Sequence, residues 1–473
     1  MPGPICRPAD ARIGPPSSKG NVMRSSFLAF AAVLLPVTVS AQTASSPAPD
    51  PARLKADVDK LVSFGTRHTL SDPDHPTRGI GAARRWFGDE MKRIGARCGG
   101  CIQVSTIQRV FTNDRAPKGV NVVDVLGIQP GRDPNRVVIV QGHIDSRVTD
   151  VMNFTSDAPG ANDDASGVAL VLEAARLLSG RKFDATIVYA ALSGEEQGLM
   201  GGTLLAETAK ERGWTVTAVL NNDIVGNTVG QNGTRVADRV RVFSEGIRAS
   251  ESLPEQMTRR GNGGEDDGPS RALARAIDTV AQGIPGGLDV FVDRRPDRFG
   301  RGGDHEPFLR LGYPAVRFSV GIENYDQQHQ DLRTADGVEY GDTSDKMDFP
   351  YLAKVTAINA AAIARLAAAP AAPAEVALRG ALGSDTAVSW AAVPGAAGYR
   401  VHWRRNDQQQ WTDHRDVPAS ATETVLQDVI VDDHFVGVSA LAAGGAESLV
   451  TFGGRAARPA AQPVPRPAPQ PAR

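Results

Sequence analysis

The amino-acid sequence predicts an α/β fold, a three-layer sandwich with a mostly parallel central sheet, followed by a small all-β sandwich domain. Apolar runs typical of buried strands alternate with helical patterns as far as residue 366. After a Pro- and Ala-rich linker at 367–374, short alternating strands follow without helices. The chain has 473 residues, more than a single hydrophobic core normally organises, so two folded domains are expected.

The predicted α/β domain extends over residues 42–366. Its strands are predicted at 120–126, 136–141, 186–192, 216–221, 240–243 and 315–320. Its helices are predicted at 78–94, 167–178, 202–212, 270–281 and 351–366. The alternation of the two kinds of element favours parallel strand pairing, because a helix normally makes the crossover between parallel strands.

Residues 1–41 are predicted to be a leader that includes a signal peptide starting at Met23. Arg24 supplies a basic start, residues 27–37 are apolar, and the small residues before Gln42 form a cleavage signal. The apolar run is too short for a permanent membrane span, and a buried N-terminal helix is the alternative interpretation. The signal peptide predicts a secreted or periplasmic protein.

Cysteine and charge content restrict the environment and the partners. In an oxidising compartment Cys98 and Cys101 could form a small disulfide, and a redox or metal motif is the alternative. The formal net charge is -2, and the sequence contains no basic block interleaved with aromatic residues. Nucleic acid is therefore excluded as an expected partner, and peptides or small molecules are favoured.

Residues 375–454 are predicted to form the all-β domain, which resembles a fibronectin type III domain through Trp390 and Tyr399. His402, His414 and His434 are expected at packing or surface positions. Since this domain has no constellation of catalytic residues, we expect it to bind a cell surface or a polymer, or to act as a spacer. Residues 455–473 are rich in Pro and Ala and predict a disordered tail.

Polar residues occur where strands of the α/β domain end or helices begin, namely His143, Asp163, Glu195, Glu196 and Asp223. The carboxyl ends of parallel strands meet at one edge of an open sheet, which is where ligands bind in such folds. These side chains are therefore expected to converge on one crevice.

The residue types in this group favour zinc. Zinc takes imidazole nitrogen and carboxylate oxygen, and two zinc ions about 3.5 to 4 Å apart share a bridging carboxylate and a water. The adjacent Glu195 and Glu196 suggest that Glu196 binds metal while Glu195 moves a proton between water and a leaving amine. Asp163 could instead cap the following helix, but Asp164 or Ser166 could fill that role.

With His329 in the segment 324–331, these motifs resemble the secreted zinc-dependent aminopeptidase family of clan MH, the di-zinc exopeptidases, over residues 55–366. The resemblance implies two Zn²⁺ per chain and hydrolysis of N-terminal residues from peptides. It also implies a cis peptide bond between Asp163 and Asp164. The implied roles are His143 and Asp223 on one zinc, Glu196 and His329 on the other, Asp163 as the bridge and Glu195 as the general base.

The resemblance also assigns supporting residues. Asp145 is expected to accept a hydrogen bond from the imidazole of His143 and so to fix its tautomer. Asp304 and His305 match a family segment near the specificity pocket, with Gly303 in place of the family's Ser. Any substrate contact through that hydroxyl is lost here.

Two other loop segments carry expectations. Gln328 stands before His329 where many relatives carry Tyr, so the oxyanion donor expected there is either supplied by Gln328 or Tyr325 or missing. His68 and His75 lie in an early loop rich in Pro and Asp and are expected to be solvated.

Other functions remain open at this point. A carboxypeptidase of the same fold would need a cation for the substrate carboxylate, for which Arg301, Arg317 and Arg333 are candidates. A single-zinc glutaminyl cyclase has a similar scaffold and would differ in metal content. A non-catalytic adhesion protein would be expected to have lost a metal ligand or the base, and none is missing here.

Overall fold

The computed structural model describes residues 48–455 and confirms the predicted α/β class. An 8-stranded sheet has the order β1-β2-β4-β3-β5-β8-β6-β7. The pairs β3·β4, β3·β5, β5·β8 and β6·β7 are parallel, and the remaining pairs are antiparallel. The strands are β1 Gln103–Phe111, β2 Val120–Gln129, β3 Asp133–His143, β4 Ala185–Leu192, β5 Thr215–Asn222, β6 Arg239–Phe243, β7 Asp289–Asp293 and β8 Ala315–Val320.

Helices cover both faces of this sheet. The helices are α1 Pro51–Val62, α2 Gly79–Arg97, α3 Ala165–Leu178, α4 Met200–Glu211, α5 Leu253–Gly261, α6 Pro269–Gln282, α7 Glu306–Arg310 and α8 Phe349–Ala368. Val138 and Val140 of β3 pack with α1, α2, α3, α6 and α8, whereas Val137 and Ile139 pack with α4 and α7. Successive residues of a strand therefore belong to two separate hydrophobic cores, one on each face of the sheet, as a three-layer sandwich requires.

The elements predicted for the α/β domain occur within three residues of their predicted bounds, but other elements were missed, among them β1, β7, α1, α5 and α7. Strands β1 and β7 alternate polar and apolar residues at the two edges of the sheet and give weak apolar runs. Helix α5 has no buried residue, and α7 is only 5 residues long. Helix α1 follows the leader directly, where no regular element was expected.

Two four-stranded sheets form the C-terminal domain, in the orders β15-β12-β11-β18 and β14-β13-β16-β17. The rings of Trp390 and Tyr399 lie 5.4 Å apart in its core. The fibronectin type III assignment stays a prediction. The strands are β11 Ala377–Arg379, β12 Thr386–Ser389, β13 Gly398–Arg405, β14 Asp413–Pro418, β15 Glu423–Leu426, β16 His434–Leu441, β17 Thr451–Phe452 and β18 Gly454–Arg455, and the hairpin of β9 Arg333–Ala335 and β10 Val338–Tyr340 belongs to the α/β domain.

Buried charges join the two domains. Arg404 of β13 is 1% exposed and places Nη2 2.7 Å from Asp267 Oδ2, while Arg275 of α6 pairs with the same carboxylate. The guanidinium of Arg404 also lies 4.7 Å from the ring centroids of both Trp411 and Phe435. The C-terminal domain is therefore packed against the α/β domain rather than connected to it only by the linker.

The chain ends lie outside the description. The predicted leader at 1–41 and all of the predicted tail after Arg455 fall outside residues 48–455. The predicted linker begins later than expected, because α8 continues to Ala368. Cys98 and Cys101 form a disulfide at the end of α2. Among residues 48–455, none of the helices has the length and apolarity that a membrane crossing requires.

Glu447 makes a second charged contact between the domains. It accepts hydrogen bonds from His402 Nε2 at 2.7 Å and Ser439 Oγ at 2.7 Å, and it lies 3.0 Å from Arg365 Nη2 of α8. Burial opposes ionisation of this carboxyl, but His402, Ser439 and Arg365 outweigh burial and lower the pKa of Glu447 to about 2.

We expect Glu447→Gln to lower the thermal midpoint at neutral pH and to reduce the further loss of stability in acid. The folded pKa lies below the unfolded value of about 4.3, so ionised Glu447 stabilises the folded state above that pH. This contribution, on the order of 3 kcal/mol, is lost as the pH falls toward about 2. Thermal melts across this range measure it.

Asp416→Asn is the matched control, since the Asp416 side chain is 51% exposed in its ion pair with Arg400 and should contribute little. Equal acid sensitivity in Glu447→Gln and the unsubstituted protein would contradict the assignment.

Candidate metal centre

The predicted site residues converge at the carboxyl edge of the sheet. His143 is the last residue of β3 and pairs in register with Leu192, the last residue of β4. Glu195 and Glu196 follow in the loop after β4, and Asp223 comes directly after β5. Asp163 precedes α3, and His329 lies in the loop after β8.

Asp163 lies between the two imidazoles. Its Oδ1 is 3.0 Å from His143 Nε2, and its Oδ2 is 2.8 Å from His329 Nε2. His143 Nε2 is also 4.0 Å from Asp223 Oδ2, and His329 Nε2 is 3.0 Å from Glu196 Oε1. The site thus has two halves that share one carboxylate.

The donor atoms suit metal ions. His143, Glu195 and Asp223 offer ligand atoms within 4.8 Å of one another, and so do Asp163, Glu196 and His329. His143 Nε2 and Glu196 Oε1 are buried, and neither atom has a hydrogen-bond partner in the described part of the chain. Buried polar atoms are normally satisfied, so these two atoms fit ligands of a cation.

Glu195 differs from the other carboxylates of the site. Asp163, Glu196 and Asp223 are at most 4% exposed, whereas Glu195 is half-buried. Its desolvation, reinforced by the charges of Glu196 and Asp223, raises the pKa of Glu195 well above the ordinary value. For Asp163 burial acts in the same direction, but the electrostatic attraction of the imidazoles of His329 and His143 prevails and lowers the pKa of Asp163 well below the ordinary value.

The neighbouring Asp164 supplies the helix cap. Its Oδ1 accepts a hydrogen bond from the backbone N of Gly167, the third residue of α3. Asp163 is thereby free of the capping role considered from the sequence. The Asp163–Asp164 peptide bond is cis, as the resemblance implied.

Asp145 contacts the ring of His143 through two oxygens. Its main-chain oxygen lies 3.1 Å from His143 Nδ1, and its carboxylate Oδ1 lies 3.5 Å from the same nitrogen. The carboxylate also accepts hydrogen bonds from Thr69 Oγ1 at 3.0 Å and from the backbone N of Glu196 at 3.2 Å. Asp145 therefore holds both the ring of His143 and the loop that carries the two glutamates.

Arg317 and Arg147 each contact one half of the site. Arg317 is fully buried, with Nη2 2.7 Å from Asp223 Oδ1 and Nη1 3.1 Å from Asp297 Oδ2. Arg147, which the sequence analysis missed, places Nε 2.8 Å from Glu196 Oε2 and Nη2 2.6 Å from His329 Nδ1. Each guanidinium therefore offsets the negative charge of a carboxylate of the site.

The segment with Asp304 and His305 is buried. Asp304 accepts a hydrogen bond from Gly202 N at 3.1 Å, and burial raises its pKa to about 7. His305 Nε2 lies 2.7 Å from the oxygen of Pro296. A Cβ on Gly303 would lie 2.9 Å from Arg317 Nη1, so a side chain at this position would crowd that guanidinium.

The two expected oxyanion donors have different surroundings. Gln328 donates from Nε2 to Asp163 Oδ2 at 2.9 Å, so its amide is directed at the shared carboxylate. Tyr325 is 48% exposed and its ring lies 5.8 Å from the guanidinium of Arg301.

The expectation that His68 is solvated was wrong. His68 is fully buried, with Nε2 2.9 Å from the oxygen of Val151 and 3.2 Å from Gln197 Nε2. It supports the loop after His143, because Val151 belongs to that loop. His75 is exposed, as expected.

Comparisons with known proteins identify the family of the chain. The model of Peptidase family M28 matches residues 124–364. A probable zinc metalloprotease of Pyricularia oryzae is 46% identical over 375 residues, covering 77% of this chain and 74% of that protein. One of Leptosphaeria maculans is 44% identical over 373 residues, covering 77% and 86%. The crystal structure of LapB from Legionella pneumophila aligns with TM-score 0.47 and 18% identity over 67% of this chain and 71% of that one. The chain belongs to peptidase family M28 of clan MH and is a zinc metallopeptidase.

Proposed function

We propose that the protein is a secreted di-zinc aminopeptidase that removes N-terminal residues from peptides. The observation that carries the proposal is the position of Asp163, whose two oxygens face two different imidazoles at 3.0 and 2.8 Å. A carboxylate shared in this way is what a pair of metal ions requires.

The residues divide between two ions. His143, Asp163 and Asp223 would hold one zinc, and Asp163, Glu196 and His329 would hold the other. Zinc bound there would polarise the scissile carbonyl and lower the pKa of a water to about 7. Asp145, Arg147 and Arg317 keep the ligand side chains in place through the contacts described above.

Glu195 is the proposed general base. It is next to the ligand Glu196, but Glu195 is half-buried where Glu196 is buried. Its raised pKa suits a group that takes a proton from water and returns it to the leaving amine.

The three candidate arginines favour an aminopeptidase over a carboxypeptidase, because each already has partners within the protein. A carboxypeptidase needs a cation for the substrate's terminal carboxylate. Arg317 is buried against Asp223 and Asp297, and Arg301 pairs with Glu323 at 2.9 Å. Arg333 is stacked 3.9 Å from the ring centroid of Tyr340 and donates to the main-chain oxygen of Asp331.

Secretion rests on the leader and the disulfide. The signal-peptide pattern in residues 1–41 indicates export. The disulfide between Cys98 and Cys101 suits an oxidising compartment.

Replacing Glu195 by Gln should remove turnover while leaving zinc in place. Loss of the proton acceptor is expected to lower kcat by at least about 100-fold, because general-base catalysis contributes that much. Glu207→Gln on α4 is the matched control, since the Glu207 side chain is 45% exposed in an ion pair with Arg109. Steady-state rates together with metal analysis of each protein measure the effect. Retained turnover in Glu195→Gln would remove its assigned role.

Peptides with a free amino terminus should be cleaved at least about 100-fold faster than their N-acetylated forms. A site built around a free amine leaves polar groups unpaired when that amine is blocked. Rates on matched peptides are measured on protein whose zinc content is determined in parallel, with two ions per chain expected. Release of C-terminal residues from blocked peptides would point to a carboxypeptidase, and cyclisation of N-terminal Gln with one zinc would point to a glutaminyl cyclase.

A further inference from the structure

Two loops of the proposed centre have no strand pairing between them. His143 ends β3 and leads into residues 144–146, whereas Asp163 follows the irregular segment 158–162 before α3. Side-chain contacts join the two loops instead, and one of them is the hydrogen bond from His143 N to Asp164 Oδ2 at 3.0 Å. A shared carboxylate and its imidazole partner need their separation to be held closely if both are to bind the same ion.

Arg67 bonds to both loops. Its Nε donates to the oxygen of Ile144 at 2.7 Å, its Nη1 donates to the oxygen of Pro159 at 2.6 Å, and its Nη2 donates to the oxygen of Gly160 at 2.9 Å. The side chain is 1% exposed. One planar guanidinium thus spans the residue after His143 and the segment before Asp163.

Asp342 holds the same segment from its other side. Its carboxylate accepts hydrogen bonds from Asn162 N at 2.9 Å and from Asp163 N at 2.7 Å. The segment 159–163 therefore has a cation on its carbonyl groups and an anion on its N–H groups. Each charge meets the end of the peptide dipole that attracts it.

Within residues 48–455, Arg67 makes no ion pair with a carboxylate, although it is a buried charge. All of its side-chain hydrogen bonds go to main-chain oxygens, including that of Leu61 at 3.3 Å. A buried cation is costly unless negative charge or hydrogen bonds compensate it. The carboxylates of Asp342 and Asp145 interact most strongly with the charge of Arg67. Its placement is thus explained by the loops and charges of the centre.

We propose that Arg67 is a positioning residue that sets the spacing of His143 and Asp163 and thereby the zinc affinity of the centre. The inference rests on the proposed metal ligands. A lysine cannot replace Arg67, because an ammonium keeps the charge but lacks the planar fork that reaches three carbonyl groups at once.

The test compares Arg67→Lys with Arg136→Lys. Arg136 is also a buried arginine that donates to a main-chain oxygen, that of Ala369, but it lies at the other end of β3, about 23 Å from His143. Zinc affinity is measured by competition with a chelator, and the absorption spectrum of the cobalt-loaded proteins reports the ligand geometry. Melting of the metal-free proteins measures the purely structural cost.

Arg67→Lys is expected to bind zinc about 10- to 100-fold more weakly and to show an altered cobalt spectrum. Arg136→Lys is expected to keep the zinc affinity and spectrum of the unsubstituted protein, even if both variants melt earlier. Unchanged affinity and spectrum in Arg67→Lys would overturn the inference, whereas absence of zinc binding by the unsubstituted protein would overturn the proposed function instead.

Ser146→Ala provides a milder variant if Arg67→Lys does not fold. Ser146 Oγ accepts from Arg67 N at 3.1 Å and donates to the oxygen of Ala158 at 2.7 Å, so it joins the same two loops. The inference expects weaker zinc binding and a shifted cobalt spectrum in this variant as well. Unchanged values would count against it.

Discussion

A concentration of buried negative charge at the carboxyl edge of the sheet is the constraint that the rest of the structure accommodates. The carboxylates involved are at most 6% exposed, and they are Asp145, Asp163, Asp164, Glu196, Asp223, Asp304 and Asp342. Such a cluster is unstable unless cations and hydrogen-bond donors compensate it. Arg67, Arg147 and Arg317 supply protein cations around it, and the two imidazoles fill its centre.

The way in which each arginine compensates this charge differs. Arg317 touches two carboxylates directly, Arg147 touches a carboxylate and an imidazole, and Arg67 touches only main-chain oxygens. Direct ion pairs fix individual ligand side chains, whereas bonds to carbonyl groups fix the loops that carry the ligands. The centre is thus held at two levels, through its side chains and through its backbone.

The sequence was sufficient to predict the proposed ligands and Asp145 among their supports, but not Arg67, Arg147 or Asp342. His143, Glu196 and Asp223 follow apolar strands, so chain order and sheet geometry together place them at one edge. Arg67 and Asp342 have no such signal, because each acts on backbone groups from loops far away in the chain. Arg147 had a weak sequence signal, because it lies four residues beyond His143 in the same loop. The burial of His68 was not predicted, because its polar neighbours in sequence are not its neighbours in space. The edge strands β1 and β7 were missed because they lack the apolar runs of the central strands.

The contact of Arg404 with Asp267 has a consequence for how this chain can vary. Arg404 is closed in by Trp411 and Phe435, and its carboxylate partner belongs to the other domain and also serves Arg275. Separating the domains would leave Arg275 to balance Asp267 alone and would open two aromatic rings to water. Loss or exchange of the C-terminal sandwich would therefore require matching changes at Asp267 and on the surface around it.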